Sequence, residues 1–161
     1  MILITENLYK LLSGQNITAY IDTSVIYPEV QKNPYTIYSL LLDKFMLESI
    51  SSFDTANERF YHGMMLGLCA VLSNRYQVRS NRESGIGRFD IMLIPRMKNI
   101  PGFIYEFKYT KDEKADLNEL ADEALKQIEE KKYETEHIDA GISDIVKIGI
   151  AFRGKNAVVK K

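Results

Sequence analysis

Two short stretches decide the fold: Arg88-Phe89-Asp90-Ile91-Met92-Leu93-Ile94 and Phe103-Ile104-Tyr105-Glu106-Phe107-Lys108-Tyr109. Both read as β-strands. Each sets charge inside an apolar run, Asp90 in the first and Glu106 with Lys108 in the second. Such charges are rarely tolerated unless they are paired or hold a metal. Side chains alternate along a strand, so Glu106 and Lys108 share one face with Cα atoms roughly 7 Å apart. Phe103, Tyr105, Phe107 and Tyr109 take the other face. The segment Pro95-Arg96-Met97-Lys98-Asn99-Ile100-Pro101-Gly102 carries turn residues and reads as a hairpin loop. A register centred on that loop sets Asp90 opposite Glu106 or Lys108. Two carboxylates and one ammonium then converge on one patch. Oxygen ligands of this kind suit Mg²⁺ or Mn²⁺. An Asp followed at a distance by Glu-x-Lys is the pattern of a metal-dependent phosphodiesterase site.

Outward from these strands, the elements are legible in order. Residues 53–74 predict a helix with Phe53, Ala56, Phe60, Met64, Leu68, Val71 and Leu72 on one stripe. A strand is expected at about 76–82. The segment Asn81-Arg82-Glu83-Ser84-Gly85-Ile86-Gly87 turns the chain into the Asp90 strand. A charged helix over 114–135 turns Leu117, Leu120, Ala121, Ala124, Leu125 and Ile128 inward. Two last strands fall near 145–152 and 156–160. The expected order α-β-β-β-α-β-β gives an α/β fold, a mixed sheet with helices packed on it. The chain divides near residue 50. Before that point, residues 5–13 suggest a helix stopped by Gly14, and 17–26 a strand. Asn33-Pro34 then opens a helix with Ile37, Leu40, Leu41, Leu42, Phe45 and Met46.

Composition bounds the function. With 161 residues the chain can build one domain with a real core. The longest apolar runs are far too short to span a membrane, and no signal-peptide pattern is present. The single cysteine, Cys69, excludes an intramolecular disulfide and fits a reducing cytoplasm. It falls on a helix stripe, as a core thiol does. The formal net charge of -1 argues against strong polyanion binding by the molecule as a whole. The distribution is uneven, however. Arg75, Arg79, Arg82, Arg88, Arg96 and Lys98 crowd the region before the Glu106 strand. They either guide a phosphate backbone or form an ordinary solvated surface.

These residues resemble the PD-(D/E)XK nuclease superfamily, which includes restriction endonucleases and the RecB-like and λ-exonuclease-like enzymes. Four blocks carry a narrower resemblance: Asn57-Glu58-Arg59-Phe60-Tyr61-His62-Gly63, the segment from Ser80 through Gly87-Arg88-Phe89-Asp90 to Met92, Glu106-Phe107-Lys108, and the segment from Ala124 through Gln127 to Tyr133. In that order they look like the nuclease-like C-terminal domain of bacterial proteins that begin with an AAA-ATPase-like domain. The resemblance covers roughly residues 51–161. Residues 1–50 look like the connector preceding that domain, helical with a strand. No ATPase-like domain lies within these residues, so any ATP-dependent function would come from an ATPase-domain partner.

The resemblance implies a restriction-endonuclease-like core, αβββαβ, and a divalent-metal-dependent nuclease acting on DNA. Asp90 and Glu106 match the metal ligands, with the Phe107 carbonyl as a further one. Lys108 matches the catalytic lysine. Glu58 matches the helix glutamate that completes the metal site. The alternative for Glu58 is a capping box, since Thr55-Ala56-Asn57-Glu58 has that spelling. Gln127 matches a glutamine beside the metal in RecB-like members, against the alternative of an exposed helix residue. A tyrosine expected four residues later is replaced by Lys131, which leaves the role of Tyr133 open. Arg82 and Arg88 are expected to contact phosphate; His62 reads as structural. A homodimer is compatible with the sequence. The competing function is a nuclease-fold module that docks a protein or nucleic acid with little catalysis, because fold does not fix function.

Overall fold

The computed structural model describes residues 36–161 apart from Phe53 and Val71. The expected helix at 5–13, the strand at 17–26 and the Asn33-Pro34 helix start lie outside them. So do the side chains of Ile37, Leu40, Leu41 and Ala56.

Helix α1 (Thr36–Ser49) is followed by a 3₁₀ turn (Asp54–Ala56) and helix α2 (Glu58–Ala70). Then come β1 (Tyr76–Ser80), the two-residue strands β2 (Glu83–Ser84) and β3 (Gly87–Arg88), β4 (Ile91–Pro95) and β5 (Gly102–Tyr109). Helices α3 (Leu117–Glu130) and α4 (Thr135–Asp139) precede β6 (Ile145–Arg153) and β7 (Asn156–Lys160). The main sheet runs β1-β4-β5-β6-β7; β2 and β3 pair with each other as a separate hairpin. β5 and β6 are parallel and the remaining pairs antiparallel. The parallel pair needs a crossover, which α3 and α4 supply. The result is the expected α/β fold, a mixed sheet flanked by helices.

Both faces of the sheet are covered, which explains why β4 and β5 are nearly all apolar. On one face Ile91, Leu93, Phe103, Tyr105, Phe107, Ile148, Ile150 and Phe152 pack with Leu42 and Met46 of α1 and Tyr61, Met65 and Cys69 of α2. On the other, Met92, Ile94 and Ile104 pack with Ile128 of α3 and with Phe89 and Tyr133. Tyr61 stacks on Phe152 with ring centroids 4.5 Å apart, and its hydroxyl donates to Gly154 O at 2.7 Å. Small residues let α3 lie close to β6. A Cβ built on Gly149 would stand 2.3 Å from Ala121 O, so this approach requires glycine.

Three local expectations are corrected. The predicted helix over 53–74 starts only at Glu58, because Asn57 Oδ1 accepts from Phe60 N–H at 3.2 Å and caps it there. Its fully buried residues are accordingly Tyr61, Met65 and Cys69, while Phe60, Met64 and Leu68 are only half-buried. The helix expected over 114–135 runs Leu117–Glu130. Asp116 caps its start through Asn118 N–H at 2.7 Å, and Lys132, at φ 53, ends any helical course before α4. The turn expected over 81–87 contains the β2–β3 hairpin.

Candidate active site

Asp90 immediately precedes β4. The β4–β5 register pairs Ile91 with Tyr105, and one step further sets Asp90 opposite Glu106. Strand alternation sends Tyr105 and Phe107 into the α1–α2 face. Glu106 and Lys108 therefore point to the α3 face. There β6 offers only Gly149 and Ala151 beside them in register, leaving room for a helix side chain. Gln127 of α3 fills that room. Its Nε2 donates to Glu106 Oε1, and its Oε1 accepts from Lys108 Nζ. One amide thus holds the acid and the base of the Glu-x-Lys unit together.

Asp90 is fixed separately. Its Oδ2 accepts from Phe107 N–H at 2.7 Å. Its main-chain oxygen lies 3.2 Å from His62 Nε2, which also stands 3.1 Å from Ser80 Oγ and 3.2 Å from Asn81 Nδ2. His62, read from sequence as structural, thus ties α2 to the loop that carries Asp90. Its signal was its place one turn after Glu58.

Glu106 is buried, 4% exposed, and its Oε2 has no hydrogen-bond partner among the described residues. Burial, followed by the Asp90 charge, pushes its carboxyl up to about 8, against the opposing pull of Lys108. Burial also raises Asp90, against the Phe107 N–H bond and the charges of His62 and Lys108; the Glu58 charge adds to the rise. Two acids raised together mark a site short of positive charge. An oxygen without a donor, facing a second carboxylate, is where a hard divalent cation would fit.

Glu58 is exposed at the first position of α2, close enough for its charge to act on Asp90 and Glu106. It is not an N3 capping-box residue. Thr55 Oγ1 donates backwards to Ser52 O at 2.9 Å, and Asn57 is the cap. Among the described residues no three His, Cys, Asp or Glu side chains gather into a metal cluster. The inner acids are thus Asp90 and Glu106, with Glu58 outside them. Arg82 immediately precedes the β2–β3 hairpin and Arg88 ends it, and both are exposed.

Tyr133 reaches the site despite its displaced spacing. Its hydroxyl accepts from Gln127 Nε2 at 3.2 Å and donates to Arg88 O at 2.7 Å. The chain leaves α3 at Lys131, turns through the left-handed Lys132 and brings Tyr133 back beneath Gln127. Helical spacing could not show this, because Tyr133 lies past the helix end.

A family model described as the PD-(D/E)XK nuclease superfamily matches residues 56–161. The chain belongs to this superfamily. The matched span holds Glu58, Asp90, Glu106, Lys108 and Gln127, and it covers the whole sheet. A comparison with curated proteins finds no match. Nucleases of this superfamily generally use divalent metals. Among the described residues no helix is long and apolar enough to cross a membrane.

Proposed function

We propose that the protein is a divalent-metal-dependent nuclease that hydrolyses phosphodiester bonds of DNA with water. The observation that supports this best is the buried Oε2 of Glu106, without a donor among the described residues, beside Asp90 and Lys108. Asp90, Glu106 and the Phe107 carbonyl would hold Mg²⁺ or Mn²⁺, with Glu58 reaching it from the start of α2. When bound, such an ion supplies Lewis acidity toward a phosphate oxygen and lowers the pKa of water. The chain's own contribution is placement. Lys108, oriented by Gln127, sets an ammonium beside the acids, where it would stabilise charge that develops on the phosphate. Gln127 also keeps Glu106 from turning away, and Tyr133 holds Gln127. Arg82 and Arg88 would take the flanking phosphates.

The exposure of Glu58 favours a second reading, a docking module with weak catalysis, because the inner site then has two acids rather than three. One assay separates the two readings. Labelled single- and double-stranded DNA is incubated with the protein in Mg²⁺ or Mn²⁺, beside Asp90→Ala and Lys108→Ala. Cleavage by the wild type and loss in both variants is expected. Cleavage that persists in both variants refutes the site; no cleavage by any form, with no Mn²⁺ binding, leaves the docking module.

A further inference from the structure

The β2–β3 hairpin is tied to the body of the protein, yet it holds an aliphatic side chain out in water. Ser84 pairs with Gly87, so Gly85 and Ile86 form a two-residue turn, and Gly85 has the positive φ (59) that such turns need. The hairpin is pinned at several points. Ile86 N–H donates to Lys131 O at 3.0 Å, and Ser84 Oγ donates to Tyr133 O at 2.9 Å. Phe89 N–H donates to Arg82 O at 3.2 Å, and the Tyr133 hydroxyl donates to Arg88 O. A Cβ on Gly85 would stand 2.2 Å from Lys131 O, so the seat is also tight. At the tip of this fixed element Ile86 is 70% exposed.

We infer that Ile86 is a wedge that enters double-helical nucleic acid within about four steps of the scissile phosphate. This rests on the nuclease reading and names the form of substrate that site would take. Three observations support it. Position comes first: Ile86 precedes Asp90 by four residues, which span at most about 14 Å. At about 3.4 Å per step along a strand, the tip falls within roughly four steps of a phosphate held at the carboxylates. Charge comes second. Arg82, Arg88, Lys131 and Lys132 are exposed around the tip, and Glu83 is the hairpin's single acid. Of the acids nearby, Glu130 pairs with Lys126, and Glu129 and Glu134 share Lys147. The third is chemistry. A lone isoleucine is far too small to be the centre of a protein interface, which needs hundreds of Å². It has no ring on which single-stranded bases could stack. Isoleucine is, however, among the side chains that part base steps in bent duplexes.

The test uses the whole chain with a short DNA duplex carrying 2-aminopurine at successive steps, with Ca²⁺ in place of Mg²⁺. The wild type is expected to raise fluorescence at one step, reporting unstacking. Ile86→Ala is expected to lose that rise and bind the duplex about tenfold more weakly, with single-stranded binding and the thermal melt unchanged. Arg82→Ala with Arg88→Ala should weaken both forms and flatten the salt dependence. An Ile86→Ala protein that binds and unstacks like the wild type overturns the inference, as does a wild type that unstacks nothing. Cleavage plays no part in this readout. In a parallel reaction with Mg²⁺ or Mn²⁺, no hydrolysis of a duplex that is unstacked in Ca²⁺ keeps the wedge and removes the nuclease; hydrolysis with unaltered Ile86→Ala binding does the reverse.

Discussion

Replacing Glu106 by Gln should stabilise the metal-free protein, and only above mildly acidic pH. In the folded chain burial and Asp90 push this carboxyl from 4.5 to about 8. Below about pH 4.5 the group is neutral folded or unfolded and costs nothing. Between 4.5 and 8 the unfolded chain releases the proton while the folded chain keeps it, so stability falls as pH rises. Above 8 the full penalty stands. A difference of that size corresponds to about 5 kcal/mol for a dry site. Water admitted beside Asp90 softens this, and about 1–3 kcal/mol is expected. In Glu106→Gln an amide oxygen still accepts from Gln127, and an amide nitrogen replaces the oxygen without a donor.

The assay is thermal unfolding of both proteins in EDTA from about pH 4 to about 8.5, spanning both ends of the titration. Equal midpoints are expected at the acid end, and a gain of roughly 3 to 10 °C for the variant at the alkaline end. Adding Mg²⁺ at pH 8 should raise the wild-type midpoint by ligand linkage and leave the variant nearly unmoved. A variant that melts at or below the wild type throughout refutes the account of Glu106 as an uncompensated buried charge.

Other substitutions test other joints. Gly149→Ala forces a methyl group to within 2.3 Å of the Ala121 carbonyl and should lower stability by about 1–3 kcal/mol, read from denaturant midpoints. Tyr133→Phe removes the donor to Arg88 O and a partner of Gln127, which should destabilise by about 1 kcal/mol. In a cleavage assay the same change should lower kcat more than it raises KM. Asp43 accepts from Ala157 N–H and is raised to about 6, burial being the cause, so stability should fall as pH rises between about 4 and 6. Asp43→Asn keeps an acceptor and should flatten that part of the pH profile of the melting midpoint.

How much of this was legible in the sequence follows from the range of the forces involved. The β4–β5 pair could be read because alternation and a short loop fix register locally. The inward stripe of α3 could be read because Leu117, Ala121, Ala124 and Ile128 repeat at helical spacing and are all buried. The start of α2 could not, since Ser51, Ser52, Thr55 and Asn57 are all cap-forming residue types. Competition among their side-chain hydrogen bonds chose Asn57. The β2–β3 hairpin has two residues per strand, too few to show alternation. Tyr133 lies beyond a left-handed turn that no periodicity reports.

The distribution of hydrogen bonds around the acids also carries a functional argument. Several groups around them are restrained: Asp90 by Phe107 N–H, Lys108 by Gln127, Gln127 by Tyr133, and Tyr133 by Arg88 O. Glu106 Oε2 is buried and has no donor among the described residues. A site shaped for stability alone would place a hydroxyl or amide there, because an unmet buried acceptor costs about 1–3 kcal/mol. Local rules tend to be broken where function opposes stability. The surrounding restraints keep the defect from being relieved by side-chain rotation. They hold two acids and an ammonium in one arrangement, as the proposed metal site requires.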